Sequence, residues 1–251
     1  MELTTATRRG VAIFDIDGTL TATADLDSEC LAQAIAEVLG VGGISTDWGS
    51  YAHSTDTGIL AEVVGTRLSR PMTGRDLRLV RTRFVELLEL AAATPPALRE
   101  VLGARAMMQR LVGAGWLVAI ATGSWRSSAC IKLDAAELPV DRALVATADD
   151  AIARADIVRW ARRRALDRAS VGGARATTIP CVYIGDGCWD VEAARACGCG
   201  FVGIGTGVRE ERLRQAGARE VLEDFQNQSR FEAALESAAG NGGARHAQRG
   251  V

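Results

Sequence analysis

The chain has 251 residues, 48% hydrophobic and 24% charged, the balance of a globular protein of one or two domains with a sizeable core. Its 29 Lys and Arg against 31 Asp and Glu leave a net charge of −2, which gives no large positive field, so neither nucleic acid nor a membrane is an expected partner. Lys132 is the single lysine, and arginine supplies the other 28 basic residues.

No targeting or spanning segment is legible. The apolar stretch 11–14 stops at Asp15, and the longest mainly apolar run, 111–123, is shorter than the ~18 residues of a membrane helix. A cytoplasmic location is expected, with the six cysteines reduced. Cys197-Gly198-Cys199 lacks the CxxC spacing and the histidine that a zinc site would need.

In chain order, short apolar runs at 11–14, 117–121, 143–146, 181–184 and 201–204 read as strands buried on both faces. Helical patterns at 96–113, 127–138, 156–166, 191–196 and 210–216 separate them. This alternation predicts an α/β fold, a Rossmann-like doubly wound parallel sheet. One interval breaks it: residues 21–95 carry helical patterns at 27–39, 57–64 and 73–93 and no clear strand. The expected organisation is therefore a core of 1–20 and 96–238, an inserted all-helical cap of 21–95, and a disordered Gly/Ala-rich tail of 239–251. Because ligands bind at the carboxyl ends of parallel strands, an insert leaving that edge would cover the site.

The densest chemical signal is Asp15-Ile16-Asp17-Gly18-Thr19-Leu20, directly after the first strand. Carboxylates at i and i+2 of an extended segment project to one side, and glycine permits the sharp turn that follows. A second cluster, Gly185-Asp186-Gly187-Cys188-Trp189-Asp190, repeats this at a later strand end. Together they suit Mg²⁺, which prefers oxygen ligands. Between them Thr122-Gly123-Ser124 ends another strand, with Ser124 a candidate N-cap and the turn a candidate phosphate cradle.

These motifs, in this order over about residues 10–207, resemble those of the haloacid dehalogenase superfamily, in its helical-cap branch of phosphoglycolate phosphatases and β-phosphoglucomutase-like enzymes. The resemblance implies a Mg²⁺-dependent phosphatase acting on a small phosphorylated metabolite. In it Asp15 would be the nucleophile that forms an aspartyl-phosphate, and Asp17 the acid and base. Thr122 would bind the phosphoryl group beside Gly123, and Asp15, Asp17 (through its carbonyl) and Asp186 would hold the metal with Asp190 in support. A phosphomutase uses the same aspartates, and a catalytically silent phospho-ligand module is the alternative from another class.

The family pattern also requires a cation, usually lysine, before the fourth strand, and that region contains no lysine. Arg154 is expected to replace it, since a guanidinium binds phosphate in a forked geometry. Lys132 is the second choice, expected instead to be solvated on its helix, and Arg159 and the run 162–164 are expected to face solvent. Residues 21–95 lack lysine, which removes the Schiff-base chemistry of the superfamily's phosphonatases. Substrate choice is expected to lie in the cap, where Trp48, Tyr51 and His53 are candidates, with packing of the loop on its own helices the alternative. Trp125 and Arg126, after the Thr122 turn, are further candidates to reach the leaving group, Arg126 being otherwise a surface arginine, and Trp189 is expected under the metal site or against the cap. Gly203-Ile204-Gly205-Thr206-Gly207 is expected to form a tight turn bordering the site, since it lacks the downstream helix-and-acid context of a dinucleotide loop. Substrate identity and oligomeric state are not legible.

Overall fold

A computed structural model of the chain describes residues 8–93 and 98–244, apart from the side chains of 174, 175 and 241–244. Six strands form one parallel sheet in the order β3-β2-β1-β4-β5-β6: β1 Gly10–Phe14, β2 Trp116–Ala121, β3 Val145–Ala146, β4 Cys181–Gly185, β5 Gly200–Ile204 and β6 Glu220–Leu222. β1 pairs with β2 on one side, Val11 opposite Leu117, and with β4 on the other, Val11 opposite Cys181. All five residues of β1 are buried, as expected of a central strand with helices on both faces.

The chain winds outward from β1 to β3, then returns to the other side of β1 with β4. The crevice between β1 and β4 is thus the topological switch point, where open α/β sheets bind ligands. Hydrophobic clusters lie on the two faces of the sheet. One gathers Phe14, Ile120, Ile184, Phe225 and Phe231; the other gathers Ile13, Ile157, Val158, Ala161 and Tyr183.

Between β1 and β2 the chain forms three long helices, α1 Ala24–Leu39, α2 Asp56–Leu68 and α3 Gly74–Ala92. They enclose their own apolar cluster of Leu31, Ile35, Leu60, Val64, Val80, Phe84 and Leu88. Trp125, from the turn after β2, plugs into it. Its ring meets Phe84 edge-on with centroids 5.9 Å apart, and its Nε1 donates to Thr57 Oγ1 at 2.8 Å. The insert is therefore keyed to the sheet by a buried aromatic.

The remaining helices are α4 Ala104–Gly113, α5 Arg126–Ala135, α6 Arg154–Arg168, α7 Gly173–Thr178, α8 Cys188–Cys197, α9 Val208–Gln215 and α10 Gln228–Ala244. The structure departs from the sequence reading in four places. α4 starts at Ala104, because Gly103 adopts φ +82, where a Cβ would stand 2.9 Å from the Phe225 backbone; Pro96 lies outside the described residues. The strand at 143–146 shrinks to two residues behind a 3-10 turn. β6, α7 and α10 are additional, and α10 carries helix through residues 239–244, where a tail was expected; residues 245–251 lie outside the description. Finally, Ser124 caps nothing: α5 begins after Trp125, whose N–H donates to Asp56 Oδ2 at 2.8 Å. Among the described residues no helix is long and apolar enough to cross a membrane, and the six thiols are free.

Candidate active site

At the end of β1 the Asp15 N–H donates to the Ile184 carbonyl of β4 at 2.9 Å, so this side chain leaves from the sheet itself. Gly18 follows with φ +73, the left-handed region that glycine tolerates best. Its freedom tightens the chain, and the Leu20 and Thr21 N–H groups donate back to the Ile16 carbonyl at 2.8 and 2.9 Å. A Cβ on Gly18 would stand 2.0 Å from Asp186 Oδ2, so the first and last motifs touch through this glycine.

Asp15, Asp186 and Asp190 each present a carboxylate oxygen within 4.8 Å of the others. Burial raises Asp15 to about 7, Arg154 opposing it and Asp190 and Asp17 adding repulsion. Burial likewise pushes Asp186 well above the usual carboxylate range, with Arg209 opposing. Asp190 is raised by the same desolvation against the pull of Arg154. Burial still raises these crowded carboxylates despite the two arginines, and an all-oxygen donor set suits a hard divalent cation such as Mg²⁺.

Arg154 stands at the first turn of α6, mostly buried, with Nη1 3.2 Å from Asp15 Oδ1 and Nε 3.5 Å from Asp190 Oδ1. Burial works against its charge, but Asp15, Tyr183, Asp190 and Asp186 together hold it firmly protonated. A Cβ on Gly123 would come within 3.0 Å of this guanidinium, so glycine is what lets the arginine approach the Thr122 turn. Asp190 is braced as well: its Oδ2 accepts from the Gly187 N–H at 3.1 Å, and its Oδ1 lies 3.0 Å from the Tyr183 hydroxyl.

Asp17 faces a different set of groups. Its Oδ1 accepts from Thr23 Oγ1 at 2.6 Å, and its Oδ2 accepts from Ser124 Oγ at 2.9 Å and Lys132 Nζ at 2.5 Å. The expected solvated lysine is thus wrong: Lys132 is fully buried, because α5 turns this face under the insert, where carboxylates await it. Burial opposes its charge, yet Asp17, Asp27 and Asp56 raise it above the usual lysine range. Asp27, by the same burial and by repulsion from Asp17, is raised to about 6 despite Lys132.

A cavity of about 380 Å³ joins these groups, lined by Asp15, Asp17, Thr122, Gly123, Arg154 and Asp186 from the sheet side and by Asp27, Trp48, Asp56 and Ile59 from the insert. Of the expected substrate-facing residues only Trp48 lines it, its Nε1 donating to Ser28 Oγ at 2.9 Å. Tyr51 turns away, its hydroxyl donating to the Ser45 carbonyl at 2.9 Å. His53 lies on a separate shallow groove with Glu62 and Ile152. Arg126 is drawn off by Asp150 and the Val145 carbonyl, 2.9 and 3.0 Å away. Trp189 lines the cavity beside Gly187, and Arg209 enters from the first turn of α9, 3.4 Å from Asp186. Within the run 162–164, Arg163 is exposed, but Arg164 pairs with Asp150 at 2.6 Å. Asp27, Asp56 and Arg209 escaped the sequence reading. The two aspartates look like ordinary helix-start acids, and only the glycine turn before Arg209 signalled its neighbourhood.

A parallel sheet with an acidic switch-point site and a helical insert above it defines a protein of the Rossmann-like α/β class. The model of the haloacid dehalogenase-like hydrolases matches residues 12–195, and the chain belongs to that family. No curated protein gave a significant match. Among solved structures, a hydrolase from Pseudomonas syringae is 21% identical with TM-score 0.69, over 90% of this chain and 99% of the other. A β-phosphoglucomutase-like protein from Bacteroides vulgatus is 16% identical with TM-score 0.68, over 93% and 92%. CbbY from Rhodobacter sphaeroides, in complex with phosphate, is 20% identical with TM-score 0.62, over 87% and 95%. At these identities the likeness is one of fold.

Proposed function

We propose that the protein is a Mg²⁺-dependent phosphatase that hydrolyses a phosphate monoester of a small metabolite through an aspartyl-phosphate on Asp15, with residues 21–95 acting as its cap. The observation that carries this reading is Arg154 held 3.2 Å from Asp15 beside the Asp186 and Asp190 carboxylates. A carboxylate attacks a phosphate dianion only where positive charge offsets their repulsion.

Asp15, Asp186 and the Asp17 carbonyl would hold the metal, with Asp190 supporting them. The ion supplies charge neutralisation and Lewis-acid polarisation of the phosphoryl oxygens. Arg154, the Thr122 hydroxyl and the Gly123 backbone orient those oxygens. An Asp15 oxygen forms the bond to phosphorus as the ester P–O bond breaks, and a protonated Asp17 gives its proton to the departing oxygen. Asp17 then takes a proton from water, which attacks phosphorus, frees Asp15 and leaves inorganic phosphate. A cavity of about 380 Å³ suits a small ester.

The test is hydrolysis of an aryl phosphate with Mg²⁺. Turnover that Asp15→Asn abolishes supports the reading. Absence of turnover across a broad ester panel would replace it with a phosphate-binding module. An isomerised sugar phosphate from a hexose 1-phosphate, in place of free phosphate, would make the protein a mutase.

A further inference from the structure

Lys132 is separate from the cation that faces the phosphoryl site. It is fully buried in α5 and is not among the residues lining the cavity. Its Nζ lies 2.5 Å from Asp17 Oδ2, 2.6 Å from Asp27 Oδ1 and 2.8 Å from Ser124 Oγ. An ammonium has three donors, and here each has an acceptor. Arginine occupies every other basic position in this chain. Three acceptors converging on one nitrogen suit an ammonium, whereas a planar guanidinium spreads its donors in a fork. The exception in composition thus coincides with a local geometry that requires it.

Two elements meet through this nitrogen. Asp17 belongs to the sheet's first motif and Asp27 to the first turn of α1 in the insert. The insert grips α5 a second time, where Asp56 of α2 accepts from the Trp125 N–H at 2.8 Å. Ser124 and Thr23 complete the hold on Asp17 at 2.9 and 2.6 Å. A buried ion pair that only filled space could be replaced by apolar residues of similar volume with little loss. This one ends on the carboxylate whose direction governs proton transfer.

We propose that Lys132 is a positioning residue that aims Asp17 at the leaving oxygen, and that Asp27 of the insert in turn holds Lys132. This rests on the reading of Asp17 as the proton donor when the ester P–O bond breaks. Such a donor matters for a poor leaving group and hardly at all for a good one. The kcat/KM value reports the steps up to formation of the aspartyl-phosphate, so it isolates this role.

The experiment compares kcat/KM for an alkyl phosphate and for p-nitrophenyl phosphate in the full chain with saturating Mg²⁺. For Lys132→Met the alkyl value is expected to fall about 100-fold, the scale of general acid catalysis, while the aryl value stays within about threefold. Equal losses on both esters, or no loss on either, would overturn the proposal, since a purely structural lysine cannot distinguish leaving groups. Asp17→Asn is the control for the underlying reading. If it fails to discriminate between the esters, the acid role of Asp17 is wrong, whatever Lys132 does. Should Lys132→Met not fold, Asp27→Asn carries the test, because it preserves shape and one acceptor. It is expected to lower the ratio of the alkyl to the aryl value about tenfold, and an unchanged ratio would again overturn the proposal.

Discussion

Arg154 Nη1 sits 3.2 Å from Asp15 Oδ1, a buried contact between residues 139 positions apart in the chain. It places a permanent positive charge where nucleophile and phosphoryl group would otherwise repel each other. Arg154→Ala is expected to lower kcat/KM for an aryl phosphate about 10²–10³-fold, the range seen when an aligned charge-stabilising donor is lost. Arg154→Lys restores the charge without the fork that reaches both Asp15 and Asp190, so its activity should fall between the two. Near-normal turnover of the alanine variant would remove Arg154 from the mechanism.

Metal and protons should compete at this site. Asp15 is raised to about 7 and Asp27 to about 6, both from 3.8. A carboxyl that binds its proton more tightly folded than unfolded contributes stability below the unfolded value and loses it as pH rises through the folded one. In metal-free protein that contribution is therefore expected to decline between about pH 4 and 7. Mg²⁺ requires ionised ligands, so its stabilising effect should grow over the same interval. Melting temperatures of chelator-treated protein at pH 5 and 7.5, each with and without Mg²⁺, test this. A Mg²⁺-induced shift as large at pH 5 as at 7.5 would contradict it.

Trp48 and His53 lie five positions apart, and only Trp48 lines the cavity. Trp48→Ala should raise KM for the physiological ester about tenfold, given the 1–3 kcal/mol range of pocket contacts. His53→Ala should leave kcat and KM within about twofold. Steady-state kinetics of both variants on a hydrolysed metabolite decides the matter, and a larger effect at His53 would reverse the assignment.

Gly18 joins the first and last motifs at close range. Alanine there would combine φ +73 with a Cβ 2.0 Å from Asp186 Oδ2. The backbone strain alone costs about 1–3 kcal/mol, and the displaced Asp186 should weaken Mg²⁺ binding. Denaturant unfolding and calorimetric Mg²⁺ titration of Gly18→Ala would show both effects, and wild-type Mg²⁺ affinity would contradict the contact.

What could be read from the chain alone is what local chemistry encodes. Apolar runs long enough for strands, glycine after Asp15-Ile16-Asp17, and an acidic pair repeated at Asp186 and Asp190 marked the sheet, the insert and the core of the site. β6 and α10 escaped notice because their patterns are short or interrupted, and they are held by packing against β5 and the Phe14 cluster. The burial of Lys132 was equally invisible, for a lysine on a helix reads as solvated until carboxylates from two other elements are folded around it. The same holds for Tyr51, His53 and Arg126, whose side chains bind nearby carbonyls, line another groove or meet Asp150 instead of facing the cavity. Sequence settled which groups are available at the strand ends. Only tertiary structure decided which of them lose water together, and desolvation is what converts a nearby charge into a partner.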